Sequence, residues 1–175
     1  MRAALALSCV ALAACGGSAA EPPAVPTEPL VDPALWLPTT ADNDPFDDRP
    51  DDPACSAGAY GVESGVFEVE TSYCDYLTAT QPLKVALEAG VQISTLVWHL
   101  ALINETPAEG HVALQIGQHL VFEARPPIPG PERAYPVLWS LPEALPAGTP
   151  AYFHVHNHGY NSWRLGPVEA KAPTD

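Results

Sequence analysis

Basic residues are scarce in this chain of 175 residues: seven lysines and arginines stand against 21 aspartates and glutamates, for a formal net charge of −14. Nucleic-acid binding depends on cationic side chains that neutralise phosphates, so this shortage excludes that class of partner. It also argues against direct electrostatic adhesion to anionic lipid. Long apolar runs are missing too, because no segment reaches the roughly 20 apolar residues that a membrane-spanning helix needs.

Familiar catalytic signatures are absent as well. The chain has no G-x-S-x-G nucleophile turn and no phosphate-cradling glycine loop. His154 and His156 follow Gly148 at the spacing that opens a cupin metal motif, which they resemble, but Tyr160 and Asn161 stand where the glutamate of that motif is expected. The sequence therefore predicts that the protein is not an enzyme.

Cysteine is rare, and the second of the four cysteines carries the clearest signal. A positively charged start, a short apolar run and small residues precede Cys15, as in a secretory signal peptide. With the cysteine at the cleavage point, Leu12-Ala13-Ala14-Cys15 resembles the lipobox of a bacterial lipoprotein. The resemblance implies that residues 1–14 are removed and that Cys15 is acylated on its sulfur and its new amino group. Because no aspartate follows Cys15, we expect a lipid anchor in the cell envelope, in the outer rather than the inner membrane.

Cys55 and Cys74 are the two cysteines left after signal cleavage and lipidation. An even pair in an oxidising compartment predicts a disulfide. A metal site built on the two thiolates is the alternative, and it is disfavoured because neither cysteine belongs to a C-x-x-C pair.

Composition divides the chain near residue 54. Residues 15–53 are rich in proline, alanine and acidic residues, which predicts an extended, disordered tether, with only residues 30–37 apolar enough to dock on a domain. Asp42, Asp44 and Asp47 are oxygen ligands at the short spacing that calcium uses, but the glycine turn and terminal glutamate of an EF-hand loop are missing. A solvated acidic tether is the alternative to a calcium site.

Residues 54–171 carry the pattern of short strands. Apolar and polar residues alternate over several runs, and turn residues such as Ala89-Gly90 and Gly117-Gln118 separate them. Strands at such intervals predict an all-β fold, an antiparallel β-sandwich. The runs are Val66–Thr71, Tyr76–Thr80, Leu83–Leu87, Val91–Leu102, Val112–Ile116, Leu120–Phe122, Val137–Leu141, Phe153–Val155 and Trp163–Leu165.

The end of the chain shows a more specific pattern. From Ala151 to Glu169, an apolar strand leads into an Asn/Gly turn, then Asn161-Ser162-Trp163, then a closing strand. This segment resembles the last strand pair of jelly-roll modules of the galactose-binding-like, carbohydrate-binding type. The likeness implies a jelly-roll-like sandwich and a non-catalytic module that binds a glycan or an envelope protein. It identifies no calcium or sugar-stacking position in this chain.

The histidines suggest a different function. His99, His111, His154 and His156 each lie off the best apolar face of their own strand, and residues two apart on a strand share a face. If those strands are neighbours, the imidazoles converge and could bind zinc or copper. The alternative is that they are solvated residues on the outer face of a sandwich. The sequence thus predicts either a glycan- or protein-binding lipoprotein without a cofactor or a metal-binding one.

Overall fold

The computed structural model describes residues 24–173, so Cys15 and the predicted signal lie outside the described residues. The described part is almost entirely β, with one short 3-10 helix at Ala41–Asn43. Within it, no helix is long and apolar enough to span a bilayer. The strands are β1 (Leu37–Pro38), β2 (Tyr60–Glu63), β3 (Val66–Glu70), β4 (Tyr76–Pro82), β5 (Gln92–His99), β6 (Ala108–Glu109), β7 (His111–Ile116), β8 (His119–Ala124), β9 (Pro127–Ile128), β10 (Arg133–Ser140), β11 (Pro150–His156), β12 (Ser162–Leu165) and β13 (Glu169–Lys171).

Two antiparallel sheets make up the sandwich. One has five strands in the order β1-β4-β11-β7-β8, and the other has six in the order β10-β5-β12-β3-β2. Strand β13 pairs with β5 on the edge that β12 also uses, and β6 and β9 form a separate two-stranded ribbon. The predicted antiparallel β-sandwich is confirmed.

The core lies between the two sheets. Phe67 of β3 and Phe153 of β11 meet edge to face, with ring centroids 6.1 Å apart. Trp163 of β12 is fully buried. Burying each large apolar side chain contributes about 1.5–3 kcal/mol, so this layer supplies the main driving force for folding.

Residues 24–53 differ from the predicted tether. Trp36 packs against Phe67 and Phe153 in the core, and β1 pairs with β4 and becomes the edge strand of the five-stranded sheet. Leu30 is fully buried, and its N–H donates to the carbonyl of Val168. Proline keeps this segment extended, and an extended segment with apolar side chains can join a sheet edge and bury them. The docking predicted for residues 30–37 is confirmed, and the sandwich includes them in addition to residues 54–171.

The predicted disulfide is also present. Cys55 and Cys74 are bonded, and Cys74 is buried. The bridge fixes the chain that follows the Asp-rich segment to the start of β4. A disulfide closing a loop of this size stabilises a fold by about 3 kcal/mol in the chain-entropy model.

Candidate metal centre

Three histidines share the outer face of the five-stranded sheet because successive side chains of a strand point to opposite faces. On β11, Phe153 and Val155 point into the core, so His154 and His156 point outward. His111 of β7 lies directly opposite His156 in the register and therefore points to the same side. Two neighbouring strands thus bring the three imidazoles together.

An Asp-rich loop, residues 40–54, covers this face and adds a carboxylate. Asp48 Oδ2 lies 2.7 Å from His111 Nδ1 and 3.1 Å from His156 Nδ1. The other carboxylate oxygen, Oδ1, lies 3.3 Å from His154 Nε2. His154 is fully buried beneath the loop although it belongs to the outer face.

A chain of hydroxyl groups fixes the tautomer of His154. Tyr76 donates its hydroxyl hydrogen to Asp44 Oδ2 at 2.8 Å, and Thr78 donates to the Tyr76 hydroxyl at 3.3 Å. With its own hydrogen used in this way, Thr78 Oγ1 accepts a hydrogen bond from His154 Nδ1 at 2.9 Å. In the neutral ring, the hydrogen is then on Nδ1, and Nε2 presents a lone pair toward Asp48.

Two carboxylates flank the ring of His111. Glu123 Oε1 on the edge strand lies 2.9 Å from Nε2, and a carboxylate can only accept, so Nε2 carries a hydrogen. Arg125 Nη2 lies 3.3 Å from the same nitrogen and also donates to Glu123 at 3.2 Å. The inner nitrogen, Nδ1, lies 2.7 Å from Asp48 Oδ2, so it either carries a second hydrogen or gives its lone pair to a cation that takes the place of that hydrogen. Outer partners of this kind are typical of metal-binding histidines.

The inner atoms form a compact group of nitrogen and oxygen atoms that could serve as metal ligands. His111 Nδ1 and His154 Nε2 are 3.1 Å apart, and one ligand atom from each of Asp48, His111 and His154 lies within 4.8 Å of the others. Asp48 Oδ1 is buried and has no hydrogen-bond partner among the described residues. Ligands around 2.0–2.1 Å from a tetrahedral zinc ion would be about 3.3 Å apart, close to these distances. The donors present therefore fit a small divalent ion.

The electrostatic environment keeps Asp48 and His154 in protonation states that can bind a metal. Burial by itself would raise the pKa of Asp48, but the neighbouring histidines hold that pKa well below its ordinary value. Burial lowers the pKa of His154, an effect that Asp48 opposes only in part. At neutral pH, Asp48 is an anion and His154 is neutral, the states that metal binding requires.

The four histidines predicted as ligands do not all meet. His111 and His154 belong to the central group, and His156 contacts it through Asp48. The expectation that His99 points away from the apolar core is wrong. It is 2% exposed, lies in the six-stranded sheet against Trp163 (ring centroids 4.4 Å apart), and its pKa is lowered by burial.

Asp48 is the candidate ligand that sequence reasoning missed, because it is one of six similar aspartates in the loop and only the folded path selects it. Of the aspartates predicted as calcium ligands, Asp44 instead bonds Tyr76 and pairs with Arg49 at 2.9 Å. Asp42 and Asp47 are exposed.

A second concave site lies at one end of the sandwich. Its volume is 370 Å³, and it is lined by polar groups and by Tyr73 and Tyr160. These two side chains are 69% and 59% exposed. Asp75, whose buried Oδ1 lacks a hydrogen-bond partner among the described residues, lines the same cavity.

Comparisons with known proteins leave the family open. No family model matches the chain, and no curated protein matches it. A solved structure described as "CBM4 structure and function" aligns with 83% of this chain and 95% of its own chain, at 16% sequence identity and a TM-score of 0.42. A likeness of this size assigns neither a family nor a ligand to the chain.

Proposed function

We propose that this protein is a lipid-anchored envelope protein whose β-sandwich binds one divalent transition-metal ion through Asp48, His111 and His154. The observation that carries the proposal is the buried Asp48 Oδ1, which lacks a hydrogen-bond partner among the described residues and lies 3.3 Å from His154 Nε2. A carboxylate oxygen and an imidazole lone pair repel each other unless a proton or a cation lies between them. A metal ion removes that conflict for all three ligands together.

The donor set is compatible with zinc or copper(II) and disfavours copper(I), calcium and magnesium. The described residues offer no free thiol or thioether, since Cys55 and Cys74 are bonded and the single methionine is Met1. Soft sulfur ligands select copper(I), whereas imidazole and carboxylate suit zinc and copper(II). Calcium and magnesium prefer sites made only of oxygen ligands.

Elemental analysis and calorimetry test this proposal. The protein as isolated is expected to contain about one zinc or copper ion per chain, because the site supplies at least three ligands. After treatment with EDTA and removal of the chelator, titration with ZnCl₂ or CuCl₂ should give a single submicromolar site. If the histidines and Asp48 merely share a proton, no site of that stoichiometry will appear, and the proposal fails.

The location in the envelope rests on Cys15, which lies outside the described residues. We propose acylation of Cys15 and anchoring to the outer membrane, on the strength of the lipobox pattern alone. Mass spectrometry of the amino-terminal peptide from cells should find an acylated cysteine, and the Cys15→Ser variant should leave the membrane fraction. An unmodified, uncleaved terminus would refute the anchor without affecting the metal site.

A second candidate function is binding of a glycan in the cavity of 370 Å³ at one end of the sandwich. Its supporting observation is the pair Tyr73 and Tyr160, whose exposed rings border one polar cavity. Tyrosine offers an apolar ring face and a polar tip, which suits a sugar ring with its apolar face and its hydroxyl groups. Grouped exposed aromatic side chains on a soluble domain commonly mark a binding surface.

A glycan array probed with the intact protein tests this second function. For any glycan bound, Tyr160→Ala and Tyr73→Ala are each expected to weaken binding about 10-fold, the loss of one aromatic contact. Leu138→Ala is the matched control, because Leu138 is similarly exposed, at 58%, but does not line the cavity. An array without hits, or an equal loss in the control, would rule the function out.

A further inference from the structure

The Asp-rich loop over the metal centre is fastened at its two ends. At the first end, β1 pairs with β4, and the N–H of Thr39 donates to the carbonyl of Thr78. At the second end, the Cys55–Cys74 disulfide holds the chain, and the N–H of Asp75 donates to the carbonyl of Ala54. Residues 40–54 are therefore a loop with fixed ends rather than a free arm.

Between those ends, the loop meets the sheet mainly at the metal centre. Phe46 stacks on the ring of His154 with centroids 4.2 Å apart, and Asp48 contacts the histidines. Arg49 lies 5.3 Å from the ring centre of Tyr76. No residue from 40 to 54 is buried as a whole, although the side chain of Asp44 is, and a cavity of 170 Å³ lies between part of the loop and strand β4. Segments with so few buried contacts open at low free-energy cost.

The loop carries an excess of negative charge, with six aspartates and one arginine. In the closed loop, Arg49 lies 2.9 Å from Asp44 and balances its buried side chain. Asp48 lies beside the histidines under partial cover, where its charge is less screened by water. A divalent ion between Asp48 and the histidines offsets that charge.

We propose that residues 40–54 form a lid whose closure is coupled to metal binding at the site beneath, an inference that rests on the proposed function. With the lid open, His111 and His154 are accessible and can capture an ion. Closure then adds Asp48 as a ligand and places Phe46 over His154. A ligand that binds the closed form more tightly than the open form shifts the population toward the closed form, so metal release requires the lid to open.

Hydrogen–deuterium exchange on the intact protein, with and without ZnCl₂, tests the lid. Backbone amides of residues 40–54 should exchange at least about 10-fold faster in the metal-free protein, while amides of β11 stay protected. Calorimetry on the same sample separates the two proposals. If zinc binds at one site per chain but exchange in the loop is unchanged, the lid is wrong and the metal site stands. If zinc does not bind, the proposed function itself fails.

Release kinetics provide a second test that does not remove a ligand. Phe46→Ala should speed zinc transfer to a chelator about 10-fold, because the ring that covers His154 is lost. The control is Asp52→Asn, which changes an exposed residue of the same loop outside the central group. Equal release rates in wild type and Phe46→Ala would contradict a gating lid.

Discussion

Replacing His154 by alanine is expected to weaken zinc binding by more than about 100-fold, beyond the 10–100-fold typical of changes in outer partners. His154 Nε2 faces both Asp48 and His111, at 3.3 Å and 3.1 Å. Because the ring is fully buried, its loss removes a ligand from the centre of the site rather than from its rim. Titration calorimetry of metal-stripped protein measures the change.

The matched control for His154→Ala is His119→Ala. His119 belongs to the same sheet but pairs with Glu143, at 3.0 Å, away from the central group. Its replacement should leave zinc affinity within about twofold of wild type, as expected for a residue remote from the ligands. Circular dichroism should show the same β-fold in both variants. Equal losses of affinity, or wild-type affinity in His154→Ala, would mean that zinc binds elsewhere on the surface.

The alternation of side chains made part of this site predictable from sequence. Strand β11 carries Phe153 and Val155 on its inner face, so the outward placement of His154 and His156 follows from a period of two. Their meeting with His111 depends on β7 being the neighbour of β11, which strand order alone decides. No local pattern reveals that order.

The same reasoning failed on β5 for a physical reason. Leu96, Trp98 and Leu100 alternate along that run and are its larger apolar set, so the pattern predicts that they face the core and that His99 does not. The structure leaves Leu96 and Leu100 41% and 51% exposed and buries Ile93 and Val97 instead. Because both faces of β5 are apolar, hydrophobicity does not distinguish the inner one, and His99 was placed on the wrong side.

A β-bulge caused a smaller error on β8. A period of two predicts that Leu120 and Phe122 share the inner face, but the register with β7 shifts between Leu114 and Gln115. Phe122 opposes Leu114, whereas Leu120 is 46% exposed and Val121 is buried. An extra residue in one strand reverses the alternation of inward and outward side chains beyond it. The position of such a residue cannot be recognised from the sequence pattern.

Replacing Trp36 by alanine is expected to lower the free energy of unfolding by about 3–5 kcal/mol, the usual cost of removing a buried aromatic side chain. Trp36 is 4% exposed and lies 5.7 Å from Phe67 and 6.5 Å from Phe153, measured between ring centroids. If residues 24–53 were a free tether, the loss of this side chain would change little. Urea unfolding followed by circular dichroism distinguishes the two outcomes.

Leu35→Ala is the control for Trp36→Ala, since Leu35 is adjacent and 59% exposed. Its effect should stay within about 0.5 kcal/mol, as for most surface substitutions. Both measurements need EDTA, because a metal that binds only the folded state would add its own stabilisation. A change below about 1 kcal/mol for Trp36→Ala, against the 3–5 expected for a core aromatic, would place residues 24–53 outside the cooperative unit. A decrease of about 3–5 kcal/mol in the free energy of unfolding would instead show that residues 24–53 are part of the cooperative fold. The Asp-rich loop would then be held at both ends by the sandwich.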